Sequence, residues 1–537
     1  MSREVIEGAT KLDERQIIKV LTGLLAAFLT AILSNTIVVN AFPAMMAELA
    51  GTQTDFAWVM VAPLLTTAVS TPIWGKMADI FNKKTLFQFN IVIFVAGCVM
   101  AGSSNDMVRL IAARAVQGLA LGGLMALSMA ILGTTISPRD RGKYSGYVGA
   151  VATVGTAGGP LLGGFIVDSV LGWRWTFFVC IPLAVVALGV IHKTLNTSSL
   201  RRSGRVDWLG AVLLTAAVSL FIVWISFAGR HKYYPWWSWQ TAAMLLGTLL
   251  ISALLLFVET KVEDPIIPLK IVMERTTALC ILASMTFGGA MFGAASFLSQ
   301  YYQVARGTTP TEAGLLTLPM VAGNLLGSVA VGQLISRYGW WKRYLVTGAI
   351  FAVAGLALCG TMGRSTELWL TGLYTAALGL GLGMLIQNLV LAVQNTVSSE
   401  HIGTASATVA FFRSVGGAVG VAFLGALLGR RVNDLATQEG AVVGEKGVTP
   451  DFTGMSAPAI DVVRGAYAEG TGYAFLIAAG IALIGLVAVI CIRELPLRQT
   501  IELPDEATEA APRSTDPSHG PRLGLGGQDF PYVRIVL

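Results

Sequence analysis

Residues 30–46 read TAILSNTIVVNAFPAMM, an apolar run that carries Ser34, Asn35, Thr36 and Asn40 but no charge. As a cleaved leader it would say nothing about the mature chain. As a membrane span it would make lipid the solvent for everything that follows. The run is too long for the apolar core of a leader, lacks a small-residue cleavage site, and leads into a chain that keeps returning to similar composition. It reads as the first span.

The rest of the chain agrees. Hydrophobic residues make up 54% of the 537 and charged residues 13%, where a soluble domain has roughly 25% charged residues. Windows of about 20 apolar residues, each long enough to cross a bilayer as a helix, recur at 17–40, 56–78, 85–102, 107–132, 143–166, 175–195, 207–227, 239–258, 276–302, 311–335, 343–361, 368–393, 403–428 and 471–492. The expected fold is therefore an all-α polytopic membrane protein with about fourteen spans.

Basic residues set the expected orientation. Segments on the side of the N-terminus hold Lys11, Arg15, Lys83, Lys84, Arg139, Arg141, Arg201, Arg202 and Arg205, whereas the alternate short loops hold few, such as Arg109, Arg306 and Arg364. By the positive-inside bias both termini are cytoplasmic. The net charge of +6 follows from that topology, because anionic lipid on the cytoplasmic face attracts Lys and Arg, and it calls for no nucleic acid.

Outside the spans we read a cytoplasmic tail at 1–16, a polar basic linker at 196–206, a polar extracellular loop at 429–470 and a Pro-, Gly- and charge-rich tail at 499–537 that is expected to stay disordered. Cys98, Cys180, Cys280, Cys359 and Cys491 show no metal-ligand spacing and read as packing residues. There is no His-Glu-x-x-His, and "GAVVGEKG" misses the spacing of a phosphate-binding loop. An enzyme or an ATP-driven pump is not expected, and no metal or cofactor is called for.

Three stretches carry chemistry within the bilayer. "GKMADIFNKKT" places Gly75, Asp79, Lys83 and Lys84 in a tight connection after the second span, where Asp79 can pair with a cation or cap a helix. "RLIAARAVQGLALGG" buries Arg114 with Gln117 about one turn later; an intramembrane Arg is costly and should face the bundle interior. "GTAGGPLLGG" lines up Gly155, Gly159, Gly163 and Gly164 for backbone-to-backbone packing, with Pro160 bending the helix.

These stretches resemble, in order, the loop motif, the fourth-span Arg motif and the fifth-span antiporter motif of the major facilitator superfamily. With "GWRWTFFVCIP", "YYQVARGTTPTEAGLLTLPM", "AVQNTVSSEHIGTASATVAFFRSVGGAVGVA" and "RELPLR", the chain is similar to the fourteen-span drug:proton antiporters of the EmrB/QacA type over approximately residues 17–498. The resemblance implies two six-helix bundles, 17–195 and 259–498, around a cavity that opens alternately to each side, with two additional helices in 207–258 between them. It further implies a small-molecule substrate, a lipid environment in a plasma membrane such as the bacterial cytoplasmic membrane, and protons as the coupling ion. An adaptor protein is neither implied nor excluded.

Two positions depart from the family pattern. The first-span Asp of the resembling family is replaced by Ser34, and the Tyr expected after Trp58 is Pro63. Every other Asp and Glu falls in a loop, a tail or near a span end. In the second half the loop motif recurs as "GQLISRYGWWKR" with Ser336 in place of its Asp.

The expected cavity residues are Ser34, Asn35, Trp58, Gln117, Gln387, Asn388 and Gln394; Gln387/Gln394 and Asn388/Asn395 stack two turns apart on one polar stripe. The expected coupling or gating residues are Asp79, Arg114, Gly155, Gly159, Pro160, Gly163, Gly164 and Arg413. Ser34 to Asn40 could equally hydrogen-bond neighbouring helices, and Tyr301 and Tyr302 with Gln300 and Gln303 fit interface anchors. The function that follows is export of amphiphilic or hydrophobic small molecules, proton-coupled by resemblance. The alternatives are a facilitator or a differently coupled metabolite or lipid exporter, and then a channel.

Overall fold

The computed structural model describes residues 14–135, 141–194, 207–228, 234–262, 269–397, 402–438 and 456–494. The 196–206 linker, the 499–537 tail and all but the end of the 1–16 tail lie outside the described residues. So do the side chains of Asp79 and Ser336.

Fourteen long helices run through the described residues. They are α1 Glu14–Thr36, α2 Gln53–Ile80, α3 Lys83–Gly102, α4 Met107–Thr135, α5 Arg141–Asp168, α6 Cys180–Thr194, α7 Trp208–Phe227, α8 Trp239–Glu259, α9 Arg275–Gln300, α10 Leu318–Tyr338, α11 Trp341–Cys359, α12 Leu368–Thr396, α13 Ile402–Gln438 and α14 Ala457–Cys491. Each coincides with one apolar window of the sequence. Among the described residues thirteen segments are long and apolar enough to cross a membrane, and α5 is the helix outside that set. Apart from an isolated bridge between Ala228 and Tyr234, the described residues contain no β-structure. That is the expected solution in hydrocarbon, where a helix satisfies its own backbone polar groups.

Polar caps set where several helices begin. Thr52 and Asp55 close a reciprocal capping box on α2, Asn82 accepts from the Lys84 and Thr85 amides on α3, and Asp207 caps α7. These residues occupy the first orphan donors of each helix. We call the side on which α1 begins the near side and the opposite one the far side.

Helices α1–α6 form one half, with α2 on α4 and α1 on both α5 and α6; α9–α14 repeat the plan with α10 on α12. The repeats are joined by different chemistry. In the first half the hydroxyls of Thr66, Thr67 and Ser70 on α2 donate to the carbonyls of Ala115, Gly118 and Leu119 on α4 at 2.8, 2.9 and 3.1 Å. In the second, Gly323 and Gly327 of α10 lie against the backbone of α12 at Ala376 and Leu380, so closely that a Cβ at either position would overlap a carbonyl oxygen. Helices α7 and α8 pack on each other, and α7 also packs on α2 and α13.

Two expectations about segment ends change. The 429–470 stretch is helical at both ends, because α13 continues to Gln438 and α14 begins at Ala457. The added turns of α13 are polar and carry an Arg430–Asp434 pair one turn apart at 3.9 Å, which suits a helix leaving the membrane. Tyr301 and Tyr302 are not interface anchors. They are fully buried in a π-helical turn, Tyr301–Ala305, and Tyr301 donates its hydroxyl to the Gly363 carbonyl at 2.8 Å.

Candidate functional site

The first span is broken. Helix α1 stops at Thr36, the chain passes through a short 3-10 turn, Val39–Ala41, and a separate helix, Phe42–Glu48, resumes with Pro43 in its first turn. Pro43 has no amide to bond the Val39 carbonyl four residues earlier, and proline is well placed in a helix's first turn. The break presents backbone and amide groups of Asn40 to three neighbours. Its Nδ2 donates to the Pro160 carbonyl of α5 at 2.8 Å, its Oδ1 accepts from Ser299 of α9 at 2.7 Å, and its carbonyl accepts from Gln303 Nε2 at 3.1 Å. Asn40 therefore links both halves on the far side.

Further far-side contacts complete this seam. Phe56 of α2 stacks on Phe297 of α9 with centroids 6.1 Å apart. Asp168, at the end of α5, accepts from the amide of Thr311 at 2.8 Å and also from its hydroxyl. Thr311 belongs to the short helix Pro310–Leu316 that precedes α10, so this carboxylate of one half caps a helix of the other. Glu312 is tied instead within its own half, in a capping box with Thr309.

The glycine motif has two faces. Gly155, Gly159 and Gly163 recur every four residues and meet α1: a Cβ would lie 2.9 Å from Ile32 at Gly155, would overlap the Thr36 hydroxyl at Gly159, and would overlap the Ile37 carbonyl at Gly163. Thr36 uses the proximity to donate to the Gly155 carbonyl at 3.0 Å. Gly164 turns to the other half, where a Cβ would sit 2.5 Å from the Pro310 carbonyl. Pro160 contributes the carbonyl that Asn40 uses.

Arg114 is 1% exposed and has no carboxylate beside it among the described residues. Its Nε donates to the Val59 carbonyl of α2 at 3.2 Å and its Nη1 to Gln117 Oε1 at 2.9 Å; Gln117 Nε2 lies 3.2 Å from Cys98 Sγ. Gln117, expected in the cavity, is thus fully buried as the acceptor for Arg114. The link to Val59 was not legible as a motif. The signal was Pro63: it lacks the amide that would bond the carbonyl four residues earlier.

Other expected cavity residues are dispersed. Ser34 is 1% exposed and lies beside Cys180 of α6, inside the first half. Asn35 is half-buried. Trp58 stacks on Phe227 of α7 at 6.2 Å, so it faces an additional helix. On α12 the polar stripe splits: Gln387 is exposed, Gln394 donates to Ser406 of α13 at 2.8 Å, and Asn388 is buried and donates to its own helix at Met384. Half-buried Arg413 lies on α13 against Gly288 of α9.

A cluster absent from the sequence reading sits at the far-side end of the first span. Glu48 accepts from Arg174 Nη1 at 2.5 Å and from Trp173 Nε1 at 2.6 Å, and the Arg174 guanidinium lies over the Trp173 ring. It accounts for the Trp-Arg pair in "GWRWTFFVCIP" as a clamp on the helix Phe42–Glu48.

The sequence matches the Major Facilitator Superfamily over residues 24–421. It is 33% identical over 509 residues, 93% of this chain and 73% of the relative, to an uncharacterized MFS-type transporter of Mycobacterium tuberculosis. It is 31% identical to the multidrug transporter protein MdtP of Bacillus subtilis, covering 78% of this chain and 76% of that one. It is 30% identical to the efflux pump dotC of Dothistroma septosporum, covering 90% and 86%. Among solved structures, a bacterial homolog of the human lysosomal transporter Spinster in an inward-facing, occupied conformation superposes with a TM-score of 0.65 at 13% identity, covering 89% of this chain and 97% of that one. Two repeated halves of six helices with two further helices between them, glycine-packed helix pairs and these matches agree: the chain belongs to the major facilitator superfamily, as a multi-pass membrane transporter and not an enzyme.

Proposed function

We propose that this transporter exports amphiphilic or hydrophobic small molecules from the cytoplasm across a plasma membrane in exchange for protons, with both termini cytoplasmic. The observation that carries the reading is the far-side seam through Asn40, Asp168 and Phe56, built of contacts that can break and re-form. With Lys and Arg placing the near side in the cytoplasm, a substrate enters from the cytoplasm while this seam is shut. The name of the Dothistroma relative, an efflux pump, supports efflux as the direction, and that of the Bacillus relative, a multidrug transporter, supports drug-like substrates.

For the proton, Asp168 is the carboxylate with the best claim, since its partners belong to the other half and are lost when the seam opens. A second reading, a facilitator, is favoured by one observation: among the described residues no Asp or Glu lies in the central turns of a spanning helix.

Efflux of the neutral dye Nile red from cells producing the protein, with and without nigericin to collapse the pH gradient, tests both. Gradient-dependent efflux that Asp168→Asn abolishes supports the antiporter. Efflux indifferent to nigericin leaves the facilitator, and efflux no faster than in cells without the protein defeats the export reading.

A further inference from the structure

Arg413 is the unusual charge of the second half. It lies between Phe411 and Val415, which pack with Ala68 near the middle of α2, so it sits deep between the ends of α13. Its stem crosses α9 at Gly288, where an added Cβ would be 3.0 Å from Arg413 Cγ; a larger residue would push it out. The two buried arginine environments differ. Arg114 is enclosed and donates to Val59 and Gln117, whereas Arg413 is half-buried, and no described residue accepts a hydrogen bond from it or forms an ion pair with it.

An arginine at this depth is costly unless water or an anion meets its donors. Helix α13 packs on α9, α14, α2, α7 and α12. Arg413 thus lies where α13 meets α2 of the other half and α9 of its own. Its charge has no ion-pair partner among the described residues.

From this placement we infer that Arg413 is the anchor of the transport site and that the exported molecules are organic anions, amphiphiles carrying a carboxylate, sulfonate or phosphate group. The inference rests on the export reading and narrows its substrate class. The planar guanidinium offers five donors and matches two oxygens of such a group at once, while the apolar walls of α2, α9 and α13 accept the rest of the molecule. A lipophilic cation would meet a like charge that no ion-pair partner among the described residues offsets.

The test uses the full chain in lipid vesicles and three dyes: carboxyfluorescein as the anion, ethidium as the cation and Nile red as the neutral probe. The wild type is expected to move carboxyfluorescein faster than ethidium. Arg413→Gln should slow carboxyfluorescein by at least about tenfold, the loss of one charge-assisted contact, with Nile red changed little. Arg413→Lys should restore part of the anion transport, because it keeps the charge and loses the fork. A preference for ethidium in the wild type overturns the inference, as does an equal loss of all three dyes in Arg413→Gln, which would mark a structural residue. Either result leaves export standing. Failure of the wild type to move any of the three goes against the export reading itself and takes the inference with it.

Discussion

Arg114 donates from Nε to the Val59 carbonyl at 3.2 Å, and that carbonyl is available because Pro63, four residues further along α2, has no amide to offer it. A side chain of α4 thus replaces a backbone bond of α2. Arg114→Ala should strand both the Val59 carbonyl and the Gln117 amide oxygen, at about 1–3 kcal/mol for each buried orphan. Pro63→Ala in the same chain returns an amide to Val59, so the double variant should regain about 1 kcal/mol over Arg114→Ala alone. Denaturant unfolding in detergent measures the difference. A double variant no more stable than the single one would break the link between these residues.

Asn40 holds α5 and α9 at once through its Nδ2 and Oδ1. Asn40→Leu keeps the volume and removes both bonds, so the far-side seam should open more often. With Ala57→Cys as a reporter beside Gly425 of α13 in a chain freed of its native cysteines, a membrane-impermeant maleimide applied from the far side should react several-fold faster in the Asn40→Leu background. Equal rates would mean that Asn40 does not hold the seam shut.

The packing of α5 on α1 separates two kinds of glycine. A Cβ at Gly159 collides with a side chain, the Thr36 hydroxyl, while a Cβ at Gly163 collides with the backbone carbonyl of Ile37. Both Gly159→Ala and Gly163→Ala should impair transport with normal membrane insertion. Thr36→Gly, which removes the Cβ that would lie 2.5 Å away as well as the hydroxyl, should recover activity in the Gly159→Ala chain only. Efflux assays on the two pairs decide it, and rescue of both would show that the helices simply move apart.

Orientation is open to direct chemistry. Single cysteines replacing Ser198 and Gly444 should be labelled by an impermeant reagent from opposite sides of the membrane, Ser198 from the cytoplasm, because the Lys and Arg bias puts the intervening loops there. Labelling of both from outside contradicts the topology on which the direction of transport rests.

Each of the fourteen helices was legible in the sequence, because a segment in hydrocarbon must be apolar, about 20 residues long and helical whatever surrounds it. The glycine stripe of α5 was legible too, since spacing alone puts Gly155, Gly159 and Gly163 on one face. Periodicity says which residues share a face and not which neighbour that face meets, and helices apolar on all sides offer no contrast from which to choose. For that reason Ser34, Gln117 and Trp58 read as one cavity group, whereas packing sends them to α6, to Arg114 and to α7. The break after Thr36 turns Asn40 away from the register of α1 and towards α5 and α9. Only tertiary structure decides such pairings, because a hydrogen bond over roughly 3 Å depends on where two distant helices come to rest against each other.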